Sequence, residues 1–471
     1  MVLHAFRSAS NIDTDAQHSV GKAAANIWSP GTRTVLGAVV VLVILVVLAG
    51  AVSIPFRFES SSMLYKFGSA KAMLRAGKVL GLIASVLLLM QLLWSARIRT
   101  LDRIIGLNNL FRWHGVMGIT IVGCALLHPM LVYLPDNTLI IPLTKRYWPE
   151  LVGLGLLLFI LIMVITSTLR TRLRLPYHFW RTAHRVGAVV VVAGLAVHVL
   201  NVSDSFGRGL PQASVYWAIG LWMLLYAWMT IHRVRTRLRP HTVTAVEPVG
   251  PDAMSLLVRP RSGLAFPYAP GQFAFIRIKS AGVRAEEHPF TIASSPQRPT
   301  ELEFLIRLCG DWTNTIANVQ PGDRIAIDGP YGLFSHLRCS GQAELVMIAG
   351  GIGITPMLSM LRYMADTNDE RTITLIWSNK TRDHVIRSDE CRELELRLPG
   401  LRVHHFFTRG ADMATTGDRL DHAVLERLLA DRSRYASIFI CGPEGMMADM
   451  TQLLLGLGFS RRRIFTERFG W

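Results

Sequence analysis

The chain has 471 residues, of which 51% are hydrophobic, and its mean hydropathy is positive, so the composition favours a membrane protein over a soluble enzyme of this length. Its formal net charge is +17, but the basic residues are spread between hydrophobic runs and form no single aromatic-studded face, which argues against nucleic acid as a partner. The five cysteines lie far apart without a Cys-x-x-Cys pair, so the sequence indicates neither a zinc ribbon nor an iron–sulfur domain.

The first half of the chain is dominated by apolar stretches. Residues 1–32 are polar, mixed in charge and without a signal-peptide pattern, so we predict a flexible cytoplasmic N-terminal segment. Six later stretches are long enough to cross a hydrocarbon core of about 30 Å as helices, and they lie near 34–53, 73–94, 113–134, 149–169, 183–200 and 213–231. Together they predict a six-helix transmembrane domain over 33–239.

The basic residues between these stretches predict the orientation. Fifteen Lys and Arg residues lie in the N-terminal segment and the loops of one side, against six in the loops of the other side. Because the more basic loops remain in the cytoplasm, we expect a multi-pass protein of the cell's inner (plasma) membrane with both termini in the cytoplasm.

Four histidines lie within the third and fifth predicted helices. His114 and His128 are fourteen residues apart, as are His184 and His198. Fourteen residues make about four helical turns, or about 21 Å, so each pair shares one helix face. Both helices run from the cytoplasm outward. Packed face to face, they bring His114 beside His184 near the inner surface and His128 beside His198 near the outer surface.

Two stacked pairs of imidazoles suit haem iron better than zinc or copper. A divalent ion usually takes two further ligands, and we expect no Asp or Glu within the bilayer to supply them. Haem iron needs only two axial ligands because the porphyrin supplies the rest. We therefore predict two haem sites, each with one histidine from each helix.

The second half of the chain has a different pattern of apolar residues and turns. Short alternating strands separated by Pro and Gly turns predict a small antiparallel β-barrel over 240–340. Strands then alternate with helical stretches over 341–471, which predicts a parallel α/β nucleotide-binding domain. The predicted fold is thus an all-α six-helix membrane bundle followed by a cytoplasmic β-barrel and an α/β domain.

The stretches YAPGQFAFIRI and HPFTIASSP resemble the flavin-binding strands of the ferredoxin–NADP reductase superfamily. Phe290 can cover an isoalloxazine face, and the hydroxyl of Thr291 can hydrogen-bond near the reactive nitrogen of the flavin. The FAD-binding residues that the resemblance implies here are His288, Pro289, Phe290, Thr291, Ser294 and Ser295. In the following stretch, LIRLCGDWTNTI, Arg307 offers a cation for a pyrophosphate, and the turn that contains Gly310, Trp312 and Thr313 offers backbone amides.

The stretch IAGGIGITPMLSML follows a buried strand and opens a helix, the context of a phosphate-binding loop. Its candidate cofactor residues are Gly350, Gly351, Gly353, Thr355 and Pro356. Further along, Cys441, Gly442 and Pro443 resemble the strand end beside the nicotinamide in this superfamily, and Phe469 or Trp471 resembles its flavin-shielding terminal ring. For the 2′-phosphate of NADPH, which we expect rather than NADH, the candidates are Ser378, Lys380 and Arg382.

Taken in order, the six helices, the two histidine pairs and these motifs resemble the NADPH oxidase and ferric reductase superfamily. The resemblance implies FAD, two b-type haems and transmembrane electron transfer from cytoplasmic NADPH, with Thr291, Cys441, Phe469 and Trp471 around the reacting rings. We expect O₂ as the acceptor and superoxide as the product, and we expect no obligatory protein partner. A ferric chelate or another periplasmic acceptor is the alternative among enzymes, and a metal-transporting or metal-sensing membrane protein is the alternative of another class.

Overall fold

The computed structural model describes residues 28–59, 67–134, 144–202, 204–339, 341, 343–409 and 420–468. The chain divides into two compact units. One spans Thr34–His232, and the other spans Arg233–Trp471 together with the chain up to Arg33. We describe each unit by itself.

Within the described residues, six helices are long and apolar enough to cross a membrane, as the sequence predicts. The helices of this part of the chain are α1 (Pro30–Arg57), α2 (Gly68–Ser95), the short α3 (Arg99–Ile105), α4 (Leu107–Tyr133), α5 (Trp148–Thr168), α6 (Tyr177–Val202) and α7 (Gly209–Leu238). Several extend beyond the apolar stretches because polar residues continue the helix past the hydrocarbon region.

Close helix contacts order this bundle around the histidine helices. Helix α2 packs along α4, and α5 packs along α6. At Gly77 of α2, a β-carbon would lie 2.8 Å from Cγ2 of Val132, so the two helices approach more closely than a larger residue would permit. Asp102 of α3 is buried, and its carboxylate accepts a hydrogen bond of 2.8 Å from the backbone N–H of Leu107, the first residue of α4.

The other unit begins with a six-stranded antiparallel sheet, in the spatial order β4-β3-β6-β1-β2-β5. Its strands are β1 (His241–Gly250), β2 (Ala253–Arg259), β3 (Phe273–Lys279), β4 (His288–Thr291), β5 (Leu302–Arg307) and β6 (Arg324–Tyr331). Apolar side chains that alternate along these strands form one core, which includes Leu256, Ile276 and Phe304. The antiparallel β-domain that the alternation predicts is confirmed.

A five-stranded parallel sheet follows, in the order β11-β10-β7-β8-β9. Its elements are β7 (Glu344–Gly350), α8 (Thr355–Asp366), β8 (Thr372–Asn379), α9 (Ser388–Arg397), β9 (Leu401–Phe407), α10 (His422–Leu429), β10 (Ser437–Cys441), α11 (Glu444–Gly456) and β11 (Ile464–Glu467). The chain order reverses between β7 and β10. In parallel sheets, ligands bind beyond the carboxyl ends of the strands at such a switch point.

A buried ionic network joins the two sheets of this unit. The guanidinium of Arg362 donates to Glu303 at 2.5 Å and to Glu390 at 2.5 and 2.7 Å, and Arg387 donates to Glu303 at 2.6 Å. Burial opposes ionisation of Glu303, but the two guanidinium groups and the hydroxyl of Ser255 hold its pKa below its ordinary value. The antiparallel and parallel sheets are thus tied together by ion pairs that centre on the buried Glu303.

Candidate electron-transfer sites

The structure brings the four intramembrane histidines together in the two pairs that their spacing predicts. The ring centres of His114 and His184 are 6.1 Å apart, and those of His128 and His198 are 6.4 Å apart. We name these the inner pair and the outer pair, after the predicted orientation. Each pair joins α4 to α6.

These distances fit a metal held between two imidazoles. With a metal–nitrogen bond of about 2.0–2.1 Å and a ring nitrogen about 1.2 Å from its ring centre, two imidazoles in line across a metal have ring centres about 6.4–6.6 Å apart. No group of three or more His, Cys, Asp or Glu residues suited to a metal is present among the described residues. Among the described residues, each site thus offers two imidazoles, which fits the axial ligation of a haem better than a closed zinc site.

The other ring nitrogen of each histidine is already engaged. In the outer pair, Nδ1 lies 2.8 Å from the carbonyl oxygen of Gly77 for His128, and 2.8 Å from that of Pro149 for His198. A carbonyl oxygen only accepts, so Nδ1 carries the proton and Nε2 is left to bind a metal. In the inner pair, Nδ1 of His114 lies 3.3 Å from the carbonyl oxygen of Gln91.

A cavity of about 420 Å³ opens beside the outer pair, within the range of small-molecule sites. It is lined by His128, His198, Lys78 and Glu150, with apolar side chains around them. Nζ of Lys78 lies 3.4 Å from Oγ of Ser205. Glu150 belongs to the first turn of α5. Lys78 lies within the second predicted span, and Glu150 lies at the start of the fourth. An ionisable residue in a membrane span indicates a functional site.

Glycines make room for the outer pair. A β-carbon at Gly81 would lie 2.9 Å from Nδ1 of His128, and one at Gly153 would lie 2.5 Å from Cε1 of His198. Any larger residue at either position would push against a histidine ring. The glycines of α2 and α5 therefore shape the position of both outer imidazoles.

At the predicted flavin site, β3 pairs with β4 so that Phe290 faces Ala274 and Thr291 faces Phe273 in the register. The ring of Trp312 stacks on His288 at 4.2 Å and on Phe290 at 5.9 Å between ring centres. Pro289 lies between these two aromatic residues on β4. The structure thus gathers His288, Phe290 and Trp312 into one aromatic group, although they come from separate motifs.

The two serines of the same motif are buried. Oγ of Ser294 accepts a hydrogen bond from the backbone N–H of Glu303 at 3.2 Å, and it lies 3.0 Å from the hydroxyl of Tyr268. Oγ of Ser295 accepts from the backbone N–H of Gln297 at 3.2 Å. Both hydroxyls therefore take part in the internal bonding of the sheet region.

The predicted pyrophosphate residues lie near the nucleotide loop. Nε of Arg307 donates to Asp252 at 2.9 Å, and its Nη1 would be 3.8 Å from a β-carbon at Gly351. The hydroxyl oxygen of Thr313 accepts from the backbone N–H of Gly310 at 2.9 Å and so closes the turn of the GDWT motif. Arg307 thereby links the flavin-side strand β5 with the loop that follows β7.

The glycines of the nucleotide loop permit close contact with the end of β10. A β-carbon at Gly350 would lie 2.8 Å from Cδ of Pro443, and one at Gly353 would collide with the carbonyl oxygen of Cys441. A β-carbon at Gly442 would lie 3.0 Å from Cα of Gly350. Thr355 is buried and Pro356 occupies the first turn of α8. Burial raises the pKa of the Cys441 thiol well above its ordinary value, so this residue is present as a neutral thiol.

A cavity of about 660 Å³ lies at the carboxyl edge of the parallel sheet. Predicted residues from four motifs line it, namely Arg307, Gly350, Gly351, Ser378, Lys380 and Pro443. Arg382 instead places its guanidinium over the ring of Phe407, 5.8 Å from the ring centre. His384, Arg409 and Asp449 also line the cavity and were not predicted. Arg409 follows the end of β9, and the parallel topology was the signal that could have indicated it.

Phe469 and Trp471, the predicted shielding rings, lie outside the described residues.

Comparison with known proteins assigns three regions of the chain. A ferric reductase like transmembrane component matches residues 80–195, an FAD-binding domain matches 239–335, and an oxidoreductase NAD-binding domain matches 347–452. The chain thus combines a ferric-reductase-like membrane region with an FAD-binding region and an NAD-binding region. The chain has the architecture of the NADPH oxidase and ferric reductase superfamily, with a ferredoxin–NADP reductase-like dehydrogenase region, as its motifs predict.

Individual relatives share about half of the chain. The reductase component of propane 2-monooxygenase from Rhodococcus jostii (strain RHA1) is 30% identical over 248 residues, which are 51% of this chain and 64% of that protein. The glycine betaine monooxygenase reductase subunit of Chromohalobacter salexigens is 30% identical over 214 residues, 44% of this chain and 57% of that protein. The chain thus spans less than two thirds of either relative's length. Among solved structures, the FAD/NAD-binding domain of nitric oxide dioxygenase from Vibrio cholerae O1 biovar El Tor is 21% identical, with a TM-score of 0.42 over 50% of this chain and 99% of that one.

Proposed function

We propose that this protein passes electrons from cytoplasmic NADPH through FAD and two b-type haems to O₂ on the outer side of the membrane, giving superoxide. The observation that carries the proposal is the pair of bis-histidine sites, with ring centres 6.1 and 6.4 Å apart. The proposed location is the cell's inner (plasma) membrane with both termini in the cytoplasm. The proposed domains are the N-terminal segment 1–32, the transmembrane domain 33–239, the FAD domain 240–340 and the NADPH domain 341–471.

When bound, FAD accepts a hydride and releases electrons singly, and b-type haems carry single electrons. The inner and outer pairs would hold the two haems through Nε2. Thr291 and Phe290 contact the flavin, and Arg307 with the turn at Gly310 binds its pyrophosphate. The superfamily resemblance supports these roles, and it also supports Phe469 or Trp471 as the ring that shields the flavin.

At the nucleotide end, the loop of Gly350, Gly351 and Gly353 approaches the phosphates of NADPH. Cys441 lies at the strand end proposed for the nicotinamide, where its neutral thiol leaves the hydride acceptor free of a competing nucleophile. Lys380 and Arg409 line the same cavity and supply positive charge for the 2′-phosphate. Arg382 adds to this positive charge from beside Phe407.

At the outer end, His128 and His198 would hold a haem between their Nε2 atoms. With two imidazoles bound, such a haem would offer no free site for O₂ and would supply electrons to an acceptor one at a time. Superoxide is the one-electron product of O₂. Lys78 lines the outer cavity, where an ammonium group attracts a product that carries negative charge.

The test compares NADPH consumption by the full-length protein, loaded with FAD and haem, in three conditions. These are air, nitrogen, and nitrogen with a ferric chelate. We expect consumption in air with two superoxide molecules per NADPH, because one hydride carries two electrons. Consumption under nitrogen only when the chelate is present, with no superoxide in air, would replace the proposal with a ferric-chelate reductase. Metal flux without NADPH consumption would indicate a transport protein.

Anaerobic spectra test the electron route separately. NADPH should reduce the haem of the wild-type protein under nitrogen, and haem that stays oxidised would refute the proposal. His198→Ala should lose the outer haem and retain a reducible inner haem. His232→Ala is the control, because His232 belongs to neither pair and stacks on Trp228 at 5.7 Å.

A further inference from the structure

The two histidine pairs differ in what binds their Nδ1 atoms. Both outer histidines donate to backbone carbonyls at 2.8 Å. The inner contacts are longer, at 3.3 Å from His114 to the carbonyl of Gln91 and 3.4 Å from His184 to Oγ of Ser167. Thus three of the four histidines depend on a backbone oxygen, and His184 alone among them contacts a side-chain oxygen.

The hydrogen bonds of Ser167 determine the role of its oxygen. Its hydroxyl donates to the carbonyl of Met163 at 2.6 Å, and its oxygen accepts from Nε1–H of Trp180 at 3.1 Å. A serine hydroxyl has one donor and two acceptor positions, so the remaining position accepts from Nδ1–H of His184. The hydroxyl of Ser167 therefore places the proton of His184 on Nδ1 and leaves Nε2 for a metal.

Trp180 is itself held in the first turn of α6. Its ring centre lies 5.5 Å from that of His184 and 5.9 Å from that of Tyr177, and the guanidinium of Arg170 lies 5.9 Å from the Trp180 ring. The Ser167 oxygen is thus shared by two donors, Trp180 and His184. The contact of His184 with this shared oxygen is 3.4 Å, against 2.8 Å for each outer histidine.

We propose that Ser167, shared between His184 and Trp180, is a positioning residue that gives the inner pair a weaker ligand field than the outer pair, so that the inner haem has the higher reduction potential. A strong Nδ1–H···O bond makes an imidazole a more basic ligand, and a more basic ligand favours the oxidised metal. The inference rests on the proposed function, because it requires a haem at each pair. The outer haem, on the acceptor side, is then the stronger reductant of the two.

The test is a redox titration of the full-length, haem-loaded protein followed by absorbance. His198→Ala, which retains the inner pair, assigns the inner midpoint potential. Ser167→Ala should raise the inner potential and weaken haem retention there by about 10–100-fold, while the outer potential stays unchanged. Ser167→Thr should restore both properties. Trp180→Phe should lower the inner potential, because the Ser167 oxygen then accepts a hydrogen bond from His184 alone.

Thr168→Ala is the matched control. It removes a neighbouring hydroxyl that donates to the carbonyl of Val164, within its own helix, and it should leave both potentials unchanged. An inner potential below the outer one in the wild type would overturn the inference, as would an inner site unaffected by Ser167→Ala. If the wild-type protein binds no haem at all, the proposed function fails instead, so the two failures are distinguishable.

Discussion

At Gly153, one added methyl group should disturb the outer histidine pair and leave the inner pair unchanged. A β-carbon there would lie 2.5 Å from Cε1 and 2.7 Å from Nδ1 of His198, whereas ordinary contacts are 3.4–4 Å. In Gly153→Ala, the His198 ring must therefore move by about 1 Å, well beyond the tolerance of about 0.5 Å for a functional ligand. Such a movement also disturbs the 2.8 Å bond from Nδ1 to the carbonyl of Pro149.

The size of the effect follows from these contacts. Overpacking costs about 1–3 kcal/mol, and loss of a supporting hydrogen bond weakens metal binding by about 10–100-fold. We expect Gly153→Ala to retain the inner haem and to lose most of the outer haem. Haem content per protein and the number of steps in an anaerobic redox titration measure this result.

Gly155→Ala provides the control on the same helix. A β-carbon at Gly155 meets no described atom within 4 Å, and alanine raises helix propensity equally at both positions, by about 1 kcal/mol. This variant should therefore bind two haems and titrate like the wild type. If Gly153→Ala also binds two haems with wild-type potentials, the reasoning that makes His198 a closely packed axial ligand is refuted.

Three further predictions concern the dehydrogenase region. Arg409→Ala should raise KM for NADPH about 10-fold or more while leaving KM for NADH unchanged, because only NADPH carries the 2′-phosphate. Steady-state kinetics with both nucleotides measure the two KM values. Equal effects on both would refute a role of Arg409 in binding the 2′-phosphate. Glu303→Gln should destabilise this region by about 3–5 kcal/mol, because Arg362 and Arg387 lose a buried charged partner. Denaturant unfolding followed by flavin fluorescence measures the free energy of unfolding. A decrease in that free energy of less than about 1 kcal/mol would contradict the argument. Burial lowers the pKa of His336 to about 3, so the folded state resists protonation, and stability should fall by at most about 1.4 kcal/mol per pH unit as pH decreases from about 6.5 towards 3. His336→Phe should reduce that slope in the same unfolding assay, and an unchanged slope would assign it to other groups.

Much of the architecture could be predicted from the sequence because its signals are local. A helix that crosses a bilayer must be apolar over its full length, so six spans can be recognised without knowledge of their packing. Alternation of apolar residues likewise predicts the antiparallel strands, and the order of strands and helices predicts the parallel sheet. The fourteen-residue spacing of His114 and His128 is also a local property, since helix geometry alone places both on one face.

Contacts between distant segments required the tertiary structure. The partners of Nδ1, namely the carbonyl oxygens of Gly77 and Pro149, come from neighbouring helices, and a backbone carbonyl has no signature in the sequence. Glu150 enters the outer cavity because α5 packs beside α6, and Arg409 joins Lys380 because parallel strands end at one edge of a sheet.

The sequence by itself therefore determined the six spans, the fold classes and the shared helix face of each pair of histidines fourteen residues apart, all of which follow from periodicity within single elements. Only the tertiary structure decided which groups support each histidine, and at what distance. The physical reason is that a hydrogen bond depends on a few tenths of an ångström in the approach of two helices, and residue spacing along one helix contains no such information. The difference between the 2.8 Å contacts of the outer pair and the 3.4 Å contact of Ser167 with His184 is a property of packing alone.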